Sequence, residues 1–331
     1  MTGQPGAPGQ PGAPGLPGAP GQPERVSVII CAYTQKRWDD TLAAVASVRE
    51  QCLAAHETIV VVDHNPALYE RLAAELPDDV TVVQNQELQG LSGGRNTGVR
   101  VAQGEILAFL DDDAVAEADW LKVLVDCYAE PAVAGAGGLT LPRWDTRRPS
   151  WFPAEFDWVV GCTYVGMPDS PARVRNLHGG NQSFRRRAFD LAGGFRDGIG
   201  RSGGRLPGGG EETEFCIRLG QRDPASVLLF DNRAVIWHRV GTERSRFSYF
   251  TARCYAEGLS KALVTRSVGM ADGLSAERRH ALSTLPRGVA RGLADVARGD
   301  AAGAGRSAAI IAGLAAAAAG YLVGAVRGLR R

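Results

Sequence analysis

The chain has little of what marks a thiol enzyme, a secreted protein or a nucleic-acid binder. Its six cysteines (Cys31, Cys52, Cys127, Cys162, Cys216 and Cys254) include no Cys-x-x-Cys pair. They read as reduced, mostly buried thiols of a cytoplasmic protein. The first 23 residues contain no apolar stretch, so no secretory signal is expected there. Net charge is only +1, which argues against bulk nucleic-acid binding, and no nucleic-acid partner is expected. What is present is ordinary for a soluble globular protein: 331 residues, 44% hydrophobic and 22% charged, enough for one large domain or two modest ones.

The small net charge hides an uneven distribution. From Glu243 to Arg331 there are 14 Lys and Arg against 6 Asp and Glu. Such a basic end suits an anionic membrane surface as neighbour. Within it, Ser307 to Val326 runs for twenty residues without a charge, flanked by Arg306 and Arg327. That length can cross a bilayer, but its Ala and Gly content makes insertion marginal. A helix packed on the body or lying on the membrane is the preferred expectation. Peripheral or C-terminal attachment to the inner face of the plasma membrane follows from it. At the other end, glycine occupies every third position from 3 to 21 in a collagen-like Gly-x-Pro pattern, expected to be a disordered tail over 1–23.

Between these ends, 24–245 reads as the catalytic-size domain and 246–331 as a basic helical region. Val26–Ile30, Glu57–Val62, Val80–Val83 and Ile106–Leu110 are strand-like. Helical patterns over Trp38–Ala54 and Leu68–Leu76 separate them, and a glycine-rich turn, Gly90–Asn96, opens a third helix ending at Ala102. This alternation predicts an α/β fold with a mostly parallel sheet flanked by helices. Further on, strands are expected near Ala134–Leu141, Val174–Phe184, Val227–Phe230 and Ala234–Trp237, and a helix from Glu211. Residues 193–210 hold nine glycines in eighteen positions and are expected to form a mobile loop.

Directly after the apolar run 106–110 stand Asp111, Asp112 and Asp113. Three adjacent carboxylates repel one another, and a hard cation such as Mg²⁺ or Mn²⁺ would hold them together. A solvated turn that caps the following helix is the bland alternative. Three other features close neighbouring strands: Ala32-Tyr33-Thr34, Asp63, and Gly93-Gly94-Arg95-Asn96. Open parallel sheets bind ligands beyond the carboxyl ends of their strands, so the four together mark a nucleotide site.

In these stretches the sequence resembles the family 2 inverting glycosyltransferases of GT-A (Rossmann-like) fold: VSVIICAYT (26–34), VVVDHN (60–65), LSGGRNTG (91–98), ILAFLDDDA (106–114), GGNQSFRR (179–186) and GGEETEFCIRL (209–219). The resemblance implies a divalent metal and a nucleoside-diphosphate sugar donor, a UDP-sugar first. It puts Ala32, Tyr33 and Asp63 at the base, and Gly94 and Arg95 near base and ribose. Asp111 and Asp112 fall toward ribose and diphosphate, with the metal chiefly on Asp113, joined by Asp111. Gly180 and Asn181 face the donor sugar and acceptor, and His238 makes an extra metal or diphosphate contact or is simply structural. The family's base is usually the Asp of a Gly-Glu-Asp motif. Here the motif is Gly210-Glu211-Glu212, so Glu212 takes the role, with Glu211 as the substitute. Residues 247–265 and the apolar tail are similar to members that act on polyprenyl-phosphate-linked sugars, which makes a lipid-linked acceptor glycan the expectation. A nucleotidylyltransferase would carry a Gly-rich basic loop after the first strand, where Cys31–Gln35 stands instead. A non-catalytic sugar-binding domain is disfavoured by the retained acids.

Overall fold

The computed structural model describes residues 25–199 and 208–329. The Gly-x-Pro tail and most of the glycine-rich run after Ile199 therefore lie outside the described residues. The first half alternates β1 (Val26–Ala32), α1 (Trp38–Arg49), β2 (Glu57–Val62), α2 (Pro66–Glu75), β3 (Val80–Gln84), α3 (Leu91–Val101) and β4 (Ile106–Asp111). The second half continues with β5 (Ala114–Ala116), α4 (Trp120–Asp126), β6 (Val133–Trp144), β7 (Ala172–Arg173), β8 (Asn181–Arg185), α5 (Arg186–Ala192), α6 (Glu211–Arg222) and β9 (Val227–Val240). It ends in helices α7 (Phe247–Val268), α8 (Met270–Gly273), α9 (Ser275–Arg279), α10 (Leu285–Ala297) and α11 (Ala302–Leu329).

These strands form one sheet in the order β3-β2-β1-β4-β8-β6-β9-β5, with β7 beside β9. β3, β2, β1 and β4 are parallel, as the apolar runs predict. β8 is antiparallel to both β4 and β6. The parallel strands are buried on both faces because helices cover both. Val28, Ile30, Val60 and Leu110 point to one core with α1, α2 and α4, whereas Ile29, Val61 and Phe109 point to another with Phe184, Phe189 and Phe215. A third core joins Phe152, and Phe156 of the 3₁₀ segment Ala154–Val160, to Phe250 of α7, Leu285 of α10 and Ile310 of α11. The C-terminal helices are thereby built into the body.

Three expectations change. The glycine-rich "turn" at 93–96 lies inside α3. Its glycines are there for close approach: a Cβ on Gly93 would stand 2.0 Å from the Leu88 carbonyl oxygen, and one on Gly98 2.5 Å from Ile29 Cγ2. The two late strands are one, β9, with a register shift opposite Gly138 and Leu139 where Asp231–Arg233 interrupt the alternation. Residues 114–116, which carried no strand signal, pair with β9 through Ala114 and His238. Gly93→Ala is expected to destabilise by about 1–3 kcal/mol, because a backbone carbonyl cannot yield. Gly220→Ala, on open helix with no atom within 4 Å of the added carbon, should instead stabilise by about 0.5–1 kcal/mol. Thermal scans of the two variants would show shifts of opposite sign.

Candidate active site

Register brings the carboxyl ends of the strands together. Ala32 pairs with Val62, directly before Asp63, and Cys31 pairs with Asp111. Ala32 is buried, so it can offer only backbone, while Tyr33 beside it is half exposed. The Arg37 guanidinium lies 5.3 Å from the Tyr33 ring centre. Asp63 accepts from Asn85 Nδ2 at 2.7 Å and from the Gly90 amide at 3.0 Å, which ties the loop before α3 to β2. Burial pushes the Cys31 thiol up to about 12, so it stays neutral behind the carboxylates.

The acidic triplet is not a solvated turn. Asp112 and Asp113 are 3% and 6% exposed. Asp112 Oδ1 meets Arg37 Nη1 at 2.6 Å, and Asp113 Oδ2 meets Arg37 Nη2 at 3.0 Å and Arg244 Nη2 at 3.4 Å. Asp113 Oδ1 lies 3.2 Å from His238 Nε2. Burial pushes the Asp112 carboxyl up, to about 7, against the pull of Arg37 and with Asp113 adding to the rise. Burial also works against Asp113, but His238, Arg37 and Arg244 together hold it well below the usual carboxylate range. The triplet is thus unequal: Asp113 is held below the usual carboxylate range and Asp112 is pushed above it.

Ligand atoms of Asp111, Asp113 and His238 all lie within 4.8 Å of one another. Two carboxylates and an imidazole suit Mn²⁺ or Mg²⁺, and a donor set of this size leaves positions for phosphate oxygens. The buried Oδ2 of Asp112 makes no hydrogen bond, as befits a group arranged beside a cation. The residues present therefore fit the ion. Beside them a cavity of about 540 Å³ is lined by Tyr33, Arg37, Asp113, Arg239 and Arg244, among others.

Arg95 is 2% exposed. Its guanidinium donates to Glu211 at 2.9 Å and to the Gly179 carbonyl at 2.6 Å, and it lies 3.7 Å from Asp111. The Phe109 and Phe195 rings flank it at 5.9 and 5.5 Å. The enclosed guanidinium joins the triplet to the start of α6. Gly94 faces Cys31, whose sulfur would lie 3.3 Å from an added Cβ. Asn181 opens β8. It is fully buried, donates to the Leu139 and Ala234 carbonyls at 3.1 and 3.0 Å and accepts from Trp120 Nε1 at 2.8 Å. A side chain so occupied pins β8 to its neighbours.

Gly180 does border the cleft: a Cβ there would fall 2.5 Å from Asp111 Oδ2. Gly179, one residue earlier, would bring a Cβ 3.5 Å from Glu212 Cδ. One glycine pair thus separates the carboxylate of the metal cluster from that of Glu212. Of the two glutamates, Glu211 is buried and Glu212 only partly so. Glu212 stands at the N-terminus of α6, beside Gly179.

Sequence reasoning missed Arg37 and Arg244, although Arg37 stands just beyond the loop judged to lack basic character. It also missed His178, directly before the glycine pair. The His178 ring is drawn below its ordinary pKa by burial, against the pull of Glu212 and Asp111, and its Nδ1 is buried with no hydrogen-bond partner. A histidine next to a Gly-Gly pair was the available signal. All six cysteines are free, three of them buried and Cys52 exposed.

The glycosyl transferase family 2 model matches residues 27–192. A glucosyl-dolichyl phosphate glucuronosyltransferase of Haloferax volcanii is 34% identical over 243 residues, 72% of this chain and 77% of that protein. Succinoglycan biosynthesis protein ExoM of Rhizobium meliloti is 25% identical, covering 70% of this chain and 72% of its own. Among solved structures, a mannosyltransferase of Pyrobaculum calidifontis in complex with GDP-Man and Mn²⁺ superposes with a TM-score of 0.59 at 20% identity, over 92% of this chain and 88% of that one. GalNAc-T7 with UDP, GalNAc and Mn²⁺ does so with a TM-score of 0.52 at 18% identity, over 78% and 54%.

Proposed function

The chain belongs to glycosyl transferase family 2, and from that premise we propose that it inverts configuration as it moves a sugar from a nucleoside-diphosphate donor to a hydroxyl of a lipid-linked acceptor. The observation that carries this reading is the Gly179-Gly180 pair, with Glu212 against one residue and Asp111 against the next. A sugar held over it has a base on one side and the diphosphate site on the other.

A divalent ion held by Asp111, Asp113 and His238 would supply positive charge to the departing diphosphate. Glu212 removes the proton from the acceptor hydroxyl. The freed oxygen forms its bond to the anomeric carbon as the bond to the diphosphate oxygen breaks on the opposite face, so the configuration inverts. Arg37 and Arg244 stand beside the same carboxylates and are placed to meet phosphate oxygens from the 540 Å³ cavity. Tyr33, the Ala32 backbone and Asp63 frame the base.

The Haloferax relative, named for a dolichyl phosphate sugar, supports a polyprenyl-phosphate-linked acceptor. α11 is one helix long and apolar enough to cross a membrane, which supports work close to a membrane. Donor identity is tested by thermal shift with Mn²⁺ and a panel of UDP-, GDP- and dTDP-sugars. A UDP-sugar is expected to raise the melting temperature only with the metal present. Stabilisation by none of the panel would overturn the donor reading, and binding without transfer to any acceptor would favour a non-catalytic domain.

A further inference from the structure

α11 has two unlike sides. On its inner side it touches α7 backbone to backbone: a Cβ on Gly320 would lie 2.0 Å from the Tyr255 carbonyl oxygen, and one on Gly258 2.0 Å from that of Ala317. Gly303 approaches Gly292 of α10 as closely, with a Cβ 2.2 Å from its carbonyl oxygen. On its outer side Ile311, Leu314, Leu322 and Val326 are exposed, Leu322 by 65%. No charged residue interrupts that side from Ser307 to Val326.

The preceding segment adds a basic face. Leu282 is 81% and Leu293 59% exposed. Exposed among them are Arg278, Arg279, Arg287, Arg291 and Arg298. Asp295 is the one acidic residue from 278 to 298. Exposed leucines interleaved with arginines are the pattern of a helix that lies in a membrane interface.

We propose that the 278–298 segment and α11 form one docking surface for an anionic lipid leaflet, with α11 lying along the bilayer and not crossing it. The reason for lying is the company α11 keeps. Its partner α7 carries Arg253, Glu257 and Lys261 in a buried ion-pair chain: Arg253 to Glu257 at 2.8 Å, and Lys261 to Glu277 at 2.8 Å. Arg175 closes the chain on Glu277, also at 2.8 Å. A crossing α11 would have to part from α7 or pull those charges into hydrocarbon, and both are strongly unfavourable. In the plane, α11 keeps α7 and still buries its outer leucines. The arginines supply charge complementarity for anionic headgroups, which a second copy of this equally basic face would lack. The inference deepens the membrane-proximal reading above and rests on it for the acceptor.

The test is co-flotation of the full-length protein with vesicles of phosphatidylcholine, with and without phosphatidylglycerol. Binding is expected to require phosphatidylglycerol, to weaken with salt, and to be stripped by alkaline carbonate. Arg278→Glu with Arg279→Glu should lower partitioning by at least roughly tenfold, as should Leu293→Asp with Leu322→Asp. These positions are exposed, so melting temperature and donor binding should stay unchanged. Equal binding to neutral vesicles, resistance to carbonate, or a lipid-free dimer that Leu322→Asp dissociates would each overturn the proposal. Donor binding is read on the same samples. Its loss in the unmodified protein would count against the transferase reading, whereas lost flotation with intact donor binding bears on the surface alone.

Discussion

Glu212→Gln is expected to lower sugar transfer by about 10²–10⁴-fold, the usual worth of a general base, and to leave donor binding and melting temperature close to unchanged. Glutamine keeps the shape of the side chain and its partly buried place at the start of α6, but it cannot accept the acceptor's proton. Glu211→Gln is predicted to behave differently. Glu211 is 3% exposed and sits 2.9 Å from Arg95. Removing one partner of a buried pair costs about 3–5 kcal/mol, so this variant should show its effect first in the melt. Steady-state kinetics and thermal scans on both variants separate the two roles. Turnover in Glu212→Gln comparable with the unmodified enzyme would remove Glu212 from the mechanism.

The second large effect concerns Asp113. Asp113→Asn is expected to weaken Mn²⁺ binding, read by calorimetry, by more than about a hundredfold, since even partners one step removed from a metal commonly contribute 10–100-fold. A chelator should stop transfer by the unmodified enzyme. Full activity in a chelator would end the metal reading of the cluster. Arg244 gives a companion prediction of opposite sign. Its guanidinium lies 3.4 Å from Asp113 and so competes with an incoming cation. Arg244→Gln should therefore raise affinity for Mn²⁺ alone while lowering affinity for a nucleoside diphosphate. A fall in both would mean that Arg244 merely holds the pocket in shape.

Why these charges escaped sequence reasoning is plain from the distances along the chain. Arg37 and Asp112 are 75 residues apart, and Arg244 and Asp113 are 131 apart. A lone arginine in a basic stretch carries no local sign that it will be buried beside a carboxylate. Arg95 was visible as a motif residue, but its burial between two phenylalanine rings was not, because Phe109 and Phe195 reach it only once the sheet is built. The glycines of α3 suggested a turn since glycine is most often selected for backbone freedom. Here they were selected for the missing Cβ, a distinction that appears only when Leu88 and Ile29 are in place.

The sequence by itself determined the parallel strands β1 to β4, the acidic triplet at the end of β4 and the paired glutamates at the start of a helix. Each is a local pattern: an apolar run closed by charges, or acids in the first turn of a helix. Tertiary structure alone decided which member of each group does what. The company of His238, Arg37 and Arg244 sets Asp113 apart from Asp112, and the grip of Arg95 sets the buried Glu211 apart from the less buried Glu212. It also showed the apolar C-terminal segment as a helix docked through glycines with its leucines outward. Role depends on the local field and on solvent access, and those are properties of neighbours that only folding supplies.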